Sequence, residues 1–383
     1  MREAWSLDDS VHFLNHGSFG ATPKAVLARQ AELRAQLERE PVRFMVRELE
    51  PLLDRAREAT ARFVGARPDG LVFVANATTG VNAVVQSLAF APGDELLTTS
   101  HGYNACMNVL RHAAHRAGAG VVVADVPFPT RGDDEVVERV LSAVTSRTKL
   151  VLLDQITSPT ALVFPVARLV KELEGRGVPV LVDAAHAPGQ VPLALDATGA
   201  SFTTGNLHKW VCTPKAAAFL HVREDWRAKI RPTVISHGAN SRRTDRSRFH
   251  LEFDWVGTTD PTAMLCVPEA LEVMGALVPG GWPALMAQNR ADALAARDAL
   301  CAGLGVTAPA PASMIASMAA VELPWGDTAK LGDELLDRYR VQVPIIPFGG
   351  RTLVRVSAQR HVRPGDVTAL VDALRALRPG GAV

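Results

Sequence analysis

Neither sign of charge is in excess: 41 Lys and Arg against 40 Asp and Glu leave a formal net charge of +1 over 383 residues. That balance offers no electrostatic footprint for nucleic acid or for an anionic membrane surface. Cysteine is scarce as well. Cys106, Cys212, Cys266 and Cys301 stand singly, with no CxxC pair, so neither a zinc site nor a disulfide framework is signalled. No apolar run approaches the length needed to cross a bilayer. The charged opening "MREAWSLDDSVHF" lacks the basic-then-apolar order of a secretory signal, and a cytoplasmic protein is expected. Internal repeats are missing. So is the GxGxxG turn of a dinucleotide site, because its nearest approximation, "RAGAGVVVADV", runs from helix into strand rather than the reverse. What remains is 48% hydrophobic and 21% charged, an ordinary globular composition whose partners are small molecules or another copy of the same chain.

Residues 1–20 read as an extended N-terminal arm. The segments "TPKAVLARQAELRAQLERE" and "ELEPLLDRAREATARFVGA" then read as helices, the first with Thr22 as cap and Pro23 in the first turn. From there short apolar runs alternate with helical patterns: "GLVFVAN", "DELLTTS", "GVVVADV", "KLVLLDQI", "VPVLVDAA" and "AAAFLHV". Strands apolar throughout, each followed by a helix, predict a mainly parallel sheet covered on both faces. One large α/β domain over 21–255 follows. A helical connector broken at "PGG" is expected over 256–290, and a smaller α/β unit over 291–383 with strands "SMAAVEL", "VQVPII" and "TLVRVSA".

Open parallel sheets bind ligands beyond the carboxyl ends of their strands, so the residues after each apolar run carry the interest. Thr78, Thr79 and Gly80 in "NATTGVN" follow a strand and open a helix, where backbone N–H groups and hydroxyls can face an anion. "VPVLVDAAHAPG" closes a strand with Asp183 and carries His186 three residues on. A carboxylate there needs a cationic or hydrogen-bonding partner to stay ionised. "GNLHKW" then supplies Asn206, His208 and Lys209 at one strand–loop junction. Pyridoxal 5'-phosphate calls for all of these: a lysine for its aldehyde, a carboxylate for its ring nitrogen, an aromatic over its ring and a cup for its phosphate.

The motifs "NHGSFGATP", "NATTGVN", "TSPTALVFPV", "LVDAAHAPGQVPLAL", "TGNLHKWVCTPKAAAFLHV", "VGTTDPTA" and "VRVSAQ" occur in an order that resembles the class V aminotransferase-like enzymes of fold type I, in particular their isopenicillin N epimerase-like branch. The resemblance implies that Lys209 forms the imine, Asp183 partners the pyridinium nitrogen and His186 bonds the ring phenolate oxygen. It also implies that Thr78, Thr79, Asn206 and His208 hold the phosphate. Thr258, after Gly257, would complete that cup in the other subunit of a homodimer with shared active sites. Arg355 takes the strand position that clamps a substrate carboxylate. Tyr103 is the expected platform over the ring, with His101 and Asn104 as alternatives. Asn15 and His16 are expected on the substrate side, and Arg43 is a weaker candidate.

The reaction implied begins at the α-carbon of an amino acid, with Lys209 taking the proton. Epimerisation then needs a second acid, Tyr103 or His16; loss of a β-substituent gives a C–S lyase; aminotransfer and decarboxylation-linked deamination are further outcomes. Persulfide-forming desulfurases of this fold use a cysteine on the loop before the carboxylate-binding arginine, and "YRVQVPIIPFGGRTLVRVS" has none. A cofactor-binding sensor without turnover is the non-enzymatic alternative, and it lacks the added DNA-binding domain that such regulators carry.

Overall fold

In the computed structural model, which describes residues 1–325 and 328–379, a short strand β1 (His12–Phe13) precedes a sheet of seven strands. These are β2 (Leu71–Val74), β3 (Glu95–Thr99), β4 (Gly120–Ala124), β5 (Thr148–Asp154), β6 (Val180–Asp183), β7 (Phe202–Asn206) and β8 (Ala218–Val222). Their spatial order is β2-β8-β7-β6-β5-β3-β4. Pairing is parallel from β7 across to β4, while β8 runs antiparallel to both β7 and β2. The run "AAAFLHV" therefore enters reversed, because the loop 207–217 before it is too short to hold a crossover helix.

Burial on both faces explains strands that are apolar throughout. Leu150 and Leu152 of β5 face a core shared with helices Ala77–Ser87 and Asn104–Ala117; Val151 and Leu153 face one shared with helices Asp133–Ser142 and Val166–Gly175. Each such side chain is worth about 1.5–3 kcal/mol relative to exposure. Side chains alternate along a strand, so Asp154 shares the face of Leu152, and Asp183 that of Leu181. Both acids thus emerge under the helices Ala77–Ser87 and Asn104–Ala117.

The smaller unit contains β9 (Met318–Leu323), β10 (Val341–Gln342), β11 (Ile345–Phe348) and β12 (Arg351–Ser357). β11, β12 and β9 form an antiparallel sheet. The run "VQVPII" is split, since Pro344 has no N–H for a ladder: β10 instead pairs parallel with β1, which stitches the N-terminal segment to the smaller unit. Two other expectations are corrected. Position 290 lies inside the continuous helix Gly281–Leu304, about 36 Å long, which packs on β9 and on helix Pro364–Ala376; the break at "PGG" separates it from helix Val267–Gly275. Thr22 caps nothing: its hydroxyl donates to the Thr213 carbonyl at 3.1 Å, and Pro23 holds the cap position of helix Lys24–Arg39. The last residues of the expected smaller unit, 380–383, lie outside the described residues.

Candidate active site

Beyond the carboxyl ends of β5, β6 and β7 opens a cavity of about 690 Å³, bounded by Asp154, Asp183, His186, Asn206 and Lys209 among others. Lys209 stands half-buried in its wall with Nζ 3.0 Å from His186 Nε2. Burial, and next the charge of Arg355, lower its ammonium to about 7, against the opposing pull of Asp183 and Cys106. The lysine is thereby poised to be a free amine near neutrality.

Asp183 is 3% exposed. Its Oδ2 accepts from the Cys106 thiol at 3.2 Å and its Oδ1 from the Ala185 N–H at 3.0 Å. Burial pushes this carboxyl up, while those two donors and the charge of Lys209 hold it back. His186 is kept neutral by burial and by Lys209. Its Nδ1 is buried with no partner, a polar atom left for a ligand.

At the other end, helix Ala77–Ser87 presents its N-terminus to the cavity. Asn206 Oδ1 accepts the Ala77 N–H at 2.8 Å, so this β7 residue fixes the helix start. Asn76 caps the helix, its Oδ1 taking both the N–H (2.9 Å) and the hydroxyl (3.1 Å) of Thr79. Thr78 and Thr79 both border the cavity, but the Thr79 donors are committed to Asn76. His208 Nδ1 donates to the Ala217 carbonyl at 3.0 Å, which leaves Nε2 for the cavity.

Arg355 is 3% exposed, and no carboxylate among the described residues pairs with it. Nη1 donates to the carbonyl and, at 3.3 Å, the hydroxyl of Ser158; Nη2 donates to the Ser18 hydroxyl at 3.3 Å. Its Nε has no partner. Burial pulls the guanidinium down to about 10. A buried cation with only neutral oxygens around it is costly unless an anion arrives.

Among the candidates for a ring platform, Tyr103 borders the cavity and is 44% exposed. His101 does not qualify: it is buried among Phe128, Phe164 and Phe348, with its ring nitrogens bonded to Thr160 Oγ1 (2.6 Å) and the Val126 carbonyl (3.0 Å). Asn104 is exposed and starts helix Asn104–Ala117. The expectation for His16 is corrected. It is fully buried behind the lysine, not on the substrate side, with Nε2 donating to the Lys209 carbonyl at 2.9 Å. That acceptor fixes the tautomer, so His16 Nδ1 accepts from His361 Nε2 at 3.0 Å. Asn15 sits one step from the cavity, its Oδ1 accepting the Ser18 hydroxyl that in turn accepts from Arg355. Arg43 is exposed and paired with Glu40 and Glu48, which takes it away from the site. Thr258 is exposed on a loop and does not border its own chain's cavity. Asp154 and Ser158 lie in one of the segments that follow an apolar run, and Ser18 within "NHGSFGATP", but the sequence assigns none of the three a role; Asp154 closes β5 as Asp183 closes β6.

A half-buried lysine, a strand-end acid, an imidazole without its second partner and a helix N-terminus around one cavity, on a mainly parallel sheet, define a fold type I pyridoxal phosphate enzyme. The chain belongs to the aminotransferase class-V family, whose family model matches residues 15–343. It is 35% identical to the isopenicillin N epimerase of Amycolatopsis lactamdurans over 98% of this chain and 97% of that one. To a probable chloroplastic L-cysteine desulfhydrase of Arabidopsis thaliana it is 31% identical, over 95% of this chain and 82% of that protein. In fold it is similar to the cystine C–S lyase C-DES in complex with its reaction product cysteine persulfide (TM-score 0.81, 21% identity, 96% and 97% of the two chains). It is likewise similar to the cysteine desulfurase CsdA of Escherichia coli (TM-score 0.80, 20% identity, 98% and 96%). Pyridoxal 5'-phosphate is the cofactor, and the unpartnered His186 Nδ1 and the helix N-terminus fit its ring and phosphate. No helix among the described residues is long and apolar enough to cross a membrane.

Proposed function

We propose that this enzyme binds the α-carboxylate of an amino acid at Arg355 and inverts its α-carbon, as an epimerase. The observation that carries the reading is Arg355, a buried guanidinium with no carboxylate partner among the described residues, whose charge reaches Lys209. Bound pyridoxal phosphate supplies the electron sink for a carbanion at Cα; Lys209, Asp183, His186, Thr78, Asn206 and His208 would hold it. Lys209, lowered to about 7, suits both removal and return of the α-proton near neutral pH. With His16 buried behind the lysine, Tyr103 is the remaining second acid, and its phenol lies close enough to Arg355 for their charges to interact.

A C–S β-lyase is the second reading, favoured by the desulfhydrase relatives. Our reading leaves out persulfide transfer to a protein thiol, because all four cysteines are buried, none borders the cavity, and burial pushes the Cys106 and Cys212 thiols up. Homodimerisation is part of the proposal. Val42, Val46, Val234, Ile235 and Val256 are exposed large apolar side chains that a second copy would cover. A second cavity of about 250 Å³, bounded by Val234, Val256 and Gly257, shares Thr79 and Thr233 with the first.

The test is to incubate the yellow protein with L-amino acids and with cysteine S-conjugates in deuterated water. Deuterium at Cα with inverted chirality is expected; pyruvate, ammonia and a thiol would move the assignment to the lyase. A preparation that stays colourless with added pyridoxal phosphate would end both.

A further inference from the structure

Asp154 and Asp183 are register partners in the parallel pair β5–β6. Neighbouring strands lie about 4.8 Å apart, so the two carboxyls leave the same sheet face side by side. Each is 3% exposed and borders the cavity, and no ion pair among the described residues involves either one. The backbone N–H groups of Tyr103 and of Asp154 itself lower Asp154, against its burial. Asp183 has the Cys106 thiol, the Ala185 N–H and the nearby charge of Lys209. A metal does not explain the pairing, since no group of three or more His, Cys, Asp and Glu among the described residues could hold one.

Two buried carboxyls on neighbouring strand ends disfavour one another's ionisation. Burial raises both, and the charge of Asp183 raises Asp154 further. The better donor set and the lysine keep the negative charge on Asp183, so the shared proton resides on Asp154. We propose that Asp154 and Asp183 act as one carboxyl pair sharing a single proton, and that this pair is the seat of the cofactor's ring nitrogen, Asp154 being a positioning residue that acts through Asp183. The proposal rests on the cofactor assignment.

If Asp154 is a neutral acid, an asparagine reproduces its shape and its donor, whereas alanine leaves Asp183 without that neighbour. Asp154→Asn is therefore expected to bind pyridoxal phosphate within about threefold of wild type, and Asp154→Ala about tenfold or more weakly, with both folded by melting temperature. The infrared spectrum of the cofactor-free protein at pH 7 should show the C=O stretch of a protonated carboxyl that Asp154→Asn removes. Because that band is read without cofactor, a failure of the cofactor assignment leaves it intact. A wild-type spectrum without the band, a band that survives Asp154→Asn, or equally weak binding by the Asn and Ala variants would each overturn the pairing.

Discussion

An amine can attack an aldehyde only when it has lost its proton, and Lys209 has the surroundings to lose it early. Its ordinary value of 10.5 is lowered to about 7 by burial and then by Arg355. The cofactor-free protein should take up pyridoxal phosphate at a rate that rises with pH through about 7 and levels above it, followed by the appearance of the visible band. Between about 7 and 10.5 the unfolded chain holds a proton that the folded chain lacks, so this lysine's contribution to stability rises with pH across that window. Arg355→Gln removes the second cause and should shift the uptake midpoint upward. It should also cost about 2–3 kcal/mol of substrate binding, roughly 30- to 200-fold in kcat/KM; an unchanged midpoint and unchanged kcat/KM would remove Arg355 from the site. Lys209, Asp183 and His186 were legible because each stands in a short motif at a strand end. His16 was misjudged because "NHGSFG" shows that the segment approaches the lysine loop but not from which side. Asp154 went unassigned because a lone acid after an apolar run carries no sign of the neighbour that alters its chemistry.

The lysine loop is held in place by the N-terminal segment. His16 bonds the Lys209 carbonyl, Lys215 Nζ donates to the Gly20 carbonyl at 2.9 Å, and Thr22 bonds Thr213. Gly20 is the tightest point: its φ is +72°, and a Cβ there would lie 2.1 Å from the His208 carbonyl oxygen and 2.9 Å from Lys209 Cα. Gly93 provides the control, with φ +88° and nothing within 4 Å of a Cβ. A positive φ strains alanine at either position by about 1–3 kcal/mol, and at Gly20, whose ψ is 156°, alanine must also push backbone aside. Gly20→Ala should melt several degrees below Gly93→Ala and lose pyridoxal phosphate on dialysis while Gly93→Ala keeps it. Equal melting and equal retention would show that the segment does not position the lysine. At this scale the alternation of apolar runs with helical patterns was readable, since burial on both faces leaves its mark in every strand. The reversal of β8 and the division of "VQVPII" between two sheets were not, because direction and partner depend on loop length and on which edge is open.

For the molecule as a whole, the proposed homodimer turns on the loop that carries Gly257 and Thr258. Its root is firm: Arg57, 2% exposed, donates to Asp254 Oδ2 at 2.6 Å and to the Leu71 carbonyl at 2.9 Å, tying the loop to helix Leu49–Val64 and to β2. Beyond that anchor Thr258 is exposed beside Val256, outside its own cavity and next to the apolar surface a second copy would cover. If each site joins Lys209 of one chain to Thr258 of the other, the defects can be separated by mixing. Thr258→Ala alone should weaken phosphate binding at both sites, and Lys209→Ala alone should abolish the visible band. After subunit exchange, a mixed dimer contains one site with both substitutions and one with neither. Titration of the mixture with pyridoxal phosphate should then recover a class of sites with wild-type affinity and a visible band, absent from either variant alone. Val46→Asp, which puts a charge on the apolar surface, should yield monomers by sedimentation and prevent that recovery. A mixture that shows only the sum of its two components would mean that each chain builds its phosphate cup by itself.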